Sequence, residues 1–88
     1  SDMYGRLFTV DFSAETVAEG VLSIDMVTDS PGFKSFEIIA NGNKIQSSQS
    51  TYLWKLMPGK NSLEVRSVDV LGNRGAASNI AVDYLTKK

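Results

Sequence analysis

Apolar and polar residues alternate with period two along most of this chain. Phe8, Val10 and Phe12 alternate with Thr9 and Asp11, and Leu22, Ile24 and Met26 with Ser23 and Asp25. The same pattern recurs in Phe36-Glu37-Ile38, in Tyr52-Leu53-Trp54-Lys55-Leu56, in Leu63-Glu64-Val65-Arg66 and in Ile80-Ala81-Val82-Asp83-Tyr84. On a pleated strand this sends one set of side chains inward and the other to solvent. These stretches therefore read as half-buried antiparallel strands. The predicted strands are 6–12, 20–27, 34–41, 44–47, 50–57, 62–70 and 78–85.

Turn residues separate them. In Asp29-Ser30-Pro31-Gly32 the proline fixes φ and the glycine accepts positive φ. Asn41-Gly42 suits a type I′ hairpin between the third strand and the short fourth one. Pro58-Gly59-Lys60-Asn61 and Leu71-Gly72-Asn73-Arg74-Gly75 read as further turns. Ala14-Glu15-Thr16-Val17-Ala18-Glu19 has weak helical character and is too short for a free-standing helix, so it reads as a connection with room for one helical turn. Strand 62–70 changes parity. Leu63 and Val65 share a face with Ser67 and Asp69, while Val68 and Val70 lie on the other. Either a bulge shifts the register or both faces are partly covered there; we favour the second, with adjoining loops or a neighbouring domain as the cover.

Short strands with turns every 8–12 residues are the pattern of an antiparallel sandwich. The 88 residues are enough for one such domain, 1–88, and suggest a piece of a longer protein. Apolar residues make up 42% and charged ones 22%, a globular balance. The net charge of −1 argues against a nucleic-acid partner, and no apolar run reaches the roughly 18 residues of a membrane span. With no cysteine and no histidine there is no thiol nucleophile, no Ser-His pair and no thiolate or imidazole metal site. No cofactor is expected, since phosphate-cradling glycine motifs are also missing.

The run from Leu56 to Asn73 resembles a pattern of bacterial Ig-like domains. A Leu, a Gly and an Asn open the strand, apolar residues alternate along it, and Asp69-Val70-Leu71-Gly72-Asn73 closes it. Ser30-Pro31-Gly32-Phe33 resembles the entry to that group's middle strand, and Asn41-Gly42 its hairpin. Trp54 stands where the group often carries an aromatic residue. The resemblance covers about residues 29–84 and implies an Ig-like, fibronectin type III-like antiparallel β-sandwich of about seven strands. It also implies an accessory module of a secreted or cell-surface bacterial protein. A fibronectin-type tyrosine corner is not evident, because Asn61 or Ser62 sits where that tyrosine would fall, and without a cysteine pair the antibody subtype is excluded.

The candidate ligand-binding residues are Tyr52, Trp54 and Phe33. Tyr52 and Trp54 lie two residues apart on one strand face, a spacing that can match a sugar ring if exposed. The same face carries Leu56, and alternation favours turning it into the core. Phe33 follows Pro31-Gly32 and either anchors a ligand at the rim or plugs the end of the sandwich. Asp69 with Asn73, and Asp25 with Asp29, offer too few oxygens for calcium and read as turn caps. Asp11, Glu37 and Glu64 point outward on different strands with nothing to desolvate them, so no acid–base pair is expected. The expected role is a non-catalytic spacer or docking module whose partners are neighbouring domains of the same polypeptide. The alternatives are a carbohydrate-binding module, which needs Tyr52, Trp54, Phe33 or Tyr4 exposed, and a protein-recognition module of the adhesin type using a free strand edge.

Overall fold

The β-branched and aromatic residues at alternate positions pair as strands wherever their apolar face finds a second sheet. A computed structural model describes residues 9–85, and its elements are β1 Asp11–Ala18, β2 Val21–Val27, β3 Phe33–Ala40, β4 Asn43–Ser47, β5 Thr51–Lys55, β6 Gly59–Asp69 and β7 Ser78–Tyr84. They form two antiparallel sheets, β1-β2-β5 and β4-β3-β6-β7. The expected all-β, Ig-like sandwich of seven strands is what the structure shows. Residues 6–8 of the first predicted strand, and Tyr4, lie outside the described residues.

Alternation sets which side chains meet between the sheets. Ile24, Met26 and Trp54 come from the three-stranded sheet, and Phe36, Ile38, Ala40, Leu63 and Val65 from the four-stranded one. Val10, just ahead of β1, completes the buried set. The sequence reading of 14–19 as a connection is corrected here. Residues 14–18 are the second half of β1, paired with β2 from Asp11↔Val27 to Ala18↔Val21 across a bulge between Thr16 and Ala18. Ala14, Thr16 and Ala18 are too small or polar to show an apolar stripe, and all three stay exposed.

The Glu19-Gly20 link between β1 and β2 depends on glycine. Gly20 has φ 73°, and an added Cβ would stand 3.0 to 3.2 Å from the Tyr84 ring and hydroxyl. Gly20→Ala therefore meets both a left-handed backbone penalty and a close contact. It is expected to lower stability by about 1–3 kcal/mol, read as a lower urea midpoint. An unchanged midpoint would contradict this close approach.

At the other hairpin Asn41 and Gly42 both have positive φ, 49° and 86°, as a type I′ turn requires. The predicted Pro58–Asn61 turn is shorter than expected, since β6 already begins at Gly59. Parity runs unbroken along β6, with Asn61, Leu63, Val65 and Ser67 all buried. The irregularity sits instead on β3, where the pairing shifts between Phe33↔Asp69 and Ser35↔Val68. The outward face of β6 near Val68 is partly covered by the loop after Asp69, through a bridge from Val68 to Arg74.

Candidate functional site

The aromatic candidates go to different places. Trp54 lies opposite Leu22 on β5 and is 1% exposed, so its indole belongs to the core and offers no open face for stacking. Tyr52 is half-buried against the same core, and burial pushes its hydroxyl pKa up. An open hollow of about 240 Å³ between β4 and β5 is lined by Tyr52, Leu53, Asn43 and an edge of Trp54. Phe33 is half-buried and tilted onto Phe36, with ring centroids 4.7 Å apart. It packs against the core at the first position of β3. The three residues therefore do not converge on one surface.

Polar chemistry gathers instead on the outer face of the four-stranded sheet, around Glu37. Its position, outward on β3, was expected to be solvated. The structure corrects this: the Glu37 side chain is 8% exposed. Lys44 of β4 reaches it with Nζ 2.7 Å from Oε2, and Arg74 grips it with Nη2 2.9 Å from Oε1 and Nε 3.1 Å from the same atom. Arg66 of β6 stands 3.8 Å from Oε1 and pairs with Glu64 at 2.9 Å. Beside this group Gln46 Nε2 donates to the buried Ser35 hydroxyl at 3.1 Å. The group borders an open depression of about 400 Å³ walled by Lys44, Gln46, Val68, Gly72 and Arg74.

The hydrogen bond from Lys44, with help from Arg74, holds the Glu37 carboxyl below its ordinary value of 4.5 against the opposing effect of burial. A carboxyl whose pKa is lower folded than unfolded adds stability above the unfolded value and loses it as pH falls through the folded one. Acid titration from pH 7 to pH 3 should therefore weaken the wild type more steeply than Glu37→Gln below about pH 4.5. Parallel curves in urea unfolding at each pH would show that Glu37 is not held by these cations.

The Asp69 loop uses its acid as a cap. Asp69 Oδ1 accepts the backbone N–H groups of Leu71 at 3.0 Å and Asn73 at 2.8 Å, and Oδ2 accepts Asn73 Nδ2 at 3.3 Å. These bonds, led by the one from the Asn73 backbone, keep its pKa low. Asp25 instead accepts the Thr51 hydroxyl at 2.8 Å. Among the described residues no three acidic groups converge as a metal site would need. Of the three acids weighed as an acid–base set, Glu37 and Glu64 approach each other only through Arg66, and Asp11 lies on the other sheet.

The burial of Glu37 had one readable signal. Phe36-Glu37-Ile38-Ile39-Ala40 is nearly continuous in apolar residues, as a central strand covered on both faces tends to be. The three cations that cover it come from two other strands and a loop.

No family model matches the chain, and no curated protein matches it. Among solved structures it is similar to the fibronectin(III)-like modules of Clostridium thermocellum CbhA, with a TM-score of 0.69 at 21% identity, over 86% of this chain and 96% of that one. The fold of this chain is accordingly that of a fibronectin type III-like, Ig-like β-sandwich.

Proposed function

We propose that this domain is a non-catalytic accessory module that fixes distance and orientation between neighbouring domains of a larger secreted or cell-surface bacterial protein. The observation that carries this reading is the placement of the two ends of the fold. Asp11 pairs with Val27, and the Thr28 hydroxyl donates to the Thr9 carbonyl, so the fold begins at the pole of the 28–32 loop. Tyr84 pairs with Gly59 and its hydroxyl donates to Glu19 at 2.5 Å, so β7 ends at the opposite pole. The length of β6 separates the poles by about 35 Å at roughly 3.3 Å per residue. A chain that enters at one pole and leaves at the other stacks in series with its neighbours. Likeness to a structure described as a set of modules supports the same reading.

The test places the domain between two folded fluorescent reporters and measures the distribution of energy transfer. A narrow distribution that broadens only when the domain unfolds is expected. A distribution as broad as that of a Gly/Ser linker of equal length would overturn the spacer role. Amide-resolved NMR with soluble polysaccharide fragments supplies the other arm. Shifts clustered at Tyr52 or Phe33 would replace the spacer with a carbohydrate-binding module.

A further inference from the structure

The two sheets differ in charge: the three-stranded one is acidic, while the four-stranded one is balanced overall and carries a local basic group around Glu37. On β1, β2 and β5, with the β1–β2 turn, stand Asp11, Glu15, Glu19 and Asp25 against Lys55 alone. Asp11, Glu15 and Asp25 all face outward, because their neighbours Phe12, Ile24 and Met26 turn toward the core. Val27 and Leu53 stand among them, 64% and 60% exposed.

On β3, β4, β6 and β7 Lys34, Lys44, Lys60 and Arg66 balance Glu37, Glu64, Asp69 and Asp83, and Arg74 of the loop after β6 tips the region around Glu37 to positive. Lys44, Arg66 and Arg74 converge on Glu37, and with Glu64 counted the group keeps an excess of positive charge. Glu37 acts as an anchor. It holds Lys44 and Arg74 in fixed positions, while both remain more than half exposed toward the depression. The loop carrying Gly72 to the wall of that depression also exposes Val70 and Leu71, at 66% and 82%. The acidic sheet face and the basic depression thus each set an excess of one sign beside bare aliphatic side chains, and the two signs are complementary.

We propose that the basic depression on the four-stranded sheet of one copy binds the acidic outer face of the three-stranded sheet of a second copy. Lys44 and Arg74 meet Asp11 and Asp25, while Val70 and Leu71 meet Val27 and Leu53. The two surfaces are different patches on one chain, so the contact is heterologous. It propagates head to tail and does not close into a symmetric dimer. Rim charges screened by solvent make it weak and salt-sensitive.

The test uses two exposed-surface variants, Asp11→Lys/Asp25→Lys and Lys44→Gln/Arg74→Gln, with the wild type as reference. In sedimentation velocity at low ionic strength the wild-type average mass should rise steadily with concentration and fall at least fivefold in association constant on raising salt from about 20 to about 200 mM. Each variant alone should stay monomeric. Mixed together they should form a one-to-one pair, because each keeps the face the other has lost. A silent mixture, or a wild type monomeric up to about 1 mM at low salt, would overturn the proposal. So would a plateau at a closed dimer. An acidic polysaccharide that shifts only the amides around Lys44 and Arg74, with no effect of dilution at Asp11 or Asp25, would assign the depression to that ligand instead. Should Arg74→Gln weaken folding, Lys44→Gln alone, checked as still folded at the working temperature by its circular dichroism spectrum, keeps the mixing experiment decisive.

Discussion

Trp54→Ala is expected to cost about 3–5 kcal/mol, a large part of the stability of a domain this size. Trp54 is the largest of the fully buried side chains and sits between the inward rows of both sheets. Its removal takes away apolar area and leaves a cavity that paired strands on either side do not collapse to fill. One feature separates the indole from an ordinary core residue: among the described residues its Nε1 has no hydrogen-bond partner. Phenylalanine dispenses with that polar group, so Trp54→Phe should cost only about 1–2 kcal/mol, less than its lost volume alone suggests. Urea unfolding followed by circular dichroism measures both variants, since the single tryptophan is the fluorescent probe being removed. The wild type should emit at short wavelength when folded and shift to the red on unfolding. A Trp54→Ala midpoint equal to that of the wild type would place the indole outside the core.

That residue was readable in advance, and the reason is local. Tyr52, Trp54 and Leu56 alternate, so one face of β5 declares itself apolar without reference to any other strand. The same holds for β2, β3, β6 and β7, and the Asn41-Gly42 hairpin is written in two residues. The second half of β1 was not readable for the matching reason. Its inward positions hold Ala14 and Thr16, and what keeps it a strand is its pairing with β2 rather than its own pattern.

The polar centre follows the same logic at longer range. Asp69 caps a loop within four residues of itself, so turn chemistry was legible from Asp-x-x-Gly-Asn. Glu37 depends on Lys44, Arg66 and Arg74, which sequence separation of up to 37 residues hides from any local pattern. Outward parity alone therefore gave the wrong environment for Glu37: the face is outward, but the cations that share it exclude water from the carboxylate.

Asn61→Ala is expected to be the second most damaging change, at about 2–4 kcal/mol. Asn61 is 3% exposed, and its amide is used at both ends. Oδ1 accepts the Met57 backbone N–H and Asn41 Nδ2, each at 2.8 Å. Nδ2 donates to the carbonyls of Met57 at 2.8 Å and Gly59 at 3.0 Å. Asn41 in turn accepts the Ser62 backbone N–H at 2.8 Å. One side chain thus shapes the turn into β6 and ties it to the β3–β4 hairpin, at the position where the resemblance led us to look for a tyrosine corner. Alanine leaves the Met57 and Gly59 groups without these partners, and the loss of several bonds in one site exceeds that of a single surface hydrogen bond. Asn61→Asp should be nearly as costly at pH 7, because a carboxylate keeps the acceptor but loses both donors and faces two carbonyls. Asn41→Ala should cost less, about 1–2 kcal/mol, from its left-handed backbone and the shared bond. Because Asn41 and Asn61 share that bond, the double variant should lose less than the sum of the two singles, by about 0.5 kcal/mol or more in a urea-unfolding cycle. Strict additivity would mean that the two asparagines act separately, and an Asn61→Ala cost under about 0.5 kcal/mol would mean that the turn into β6 is held by its backbone alone.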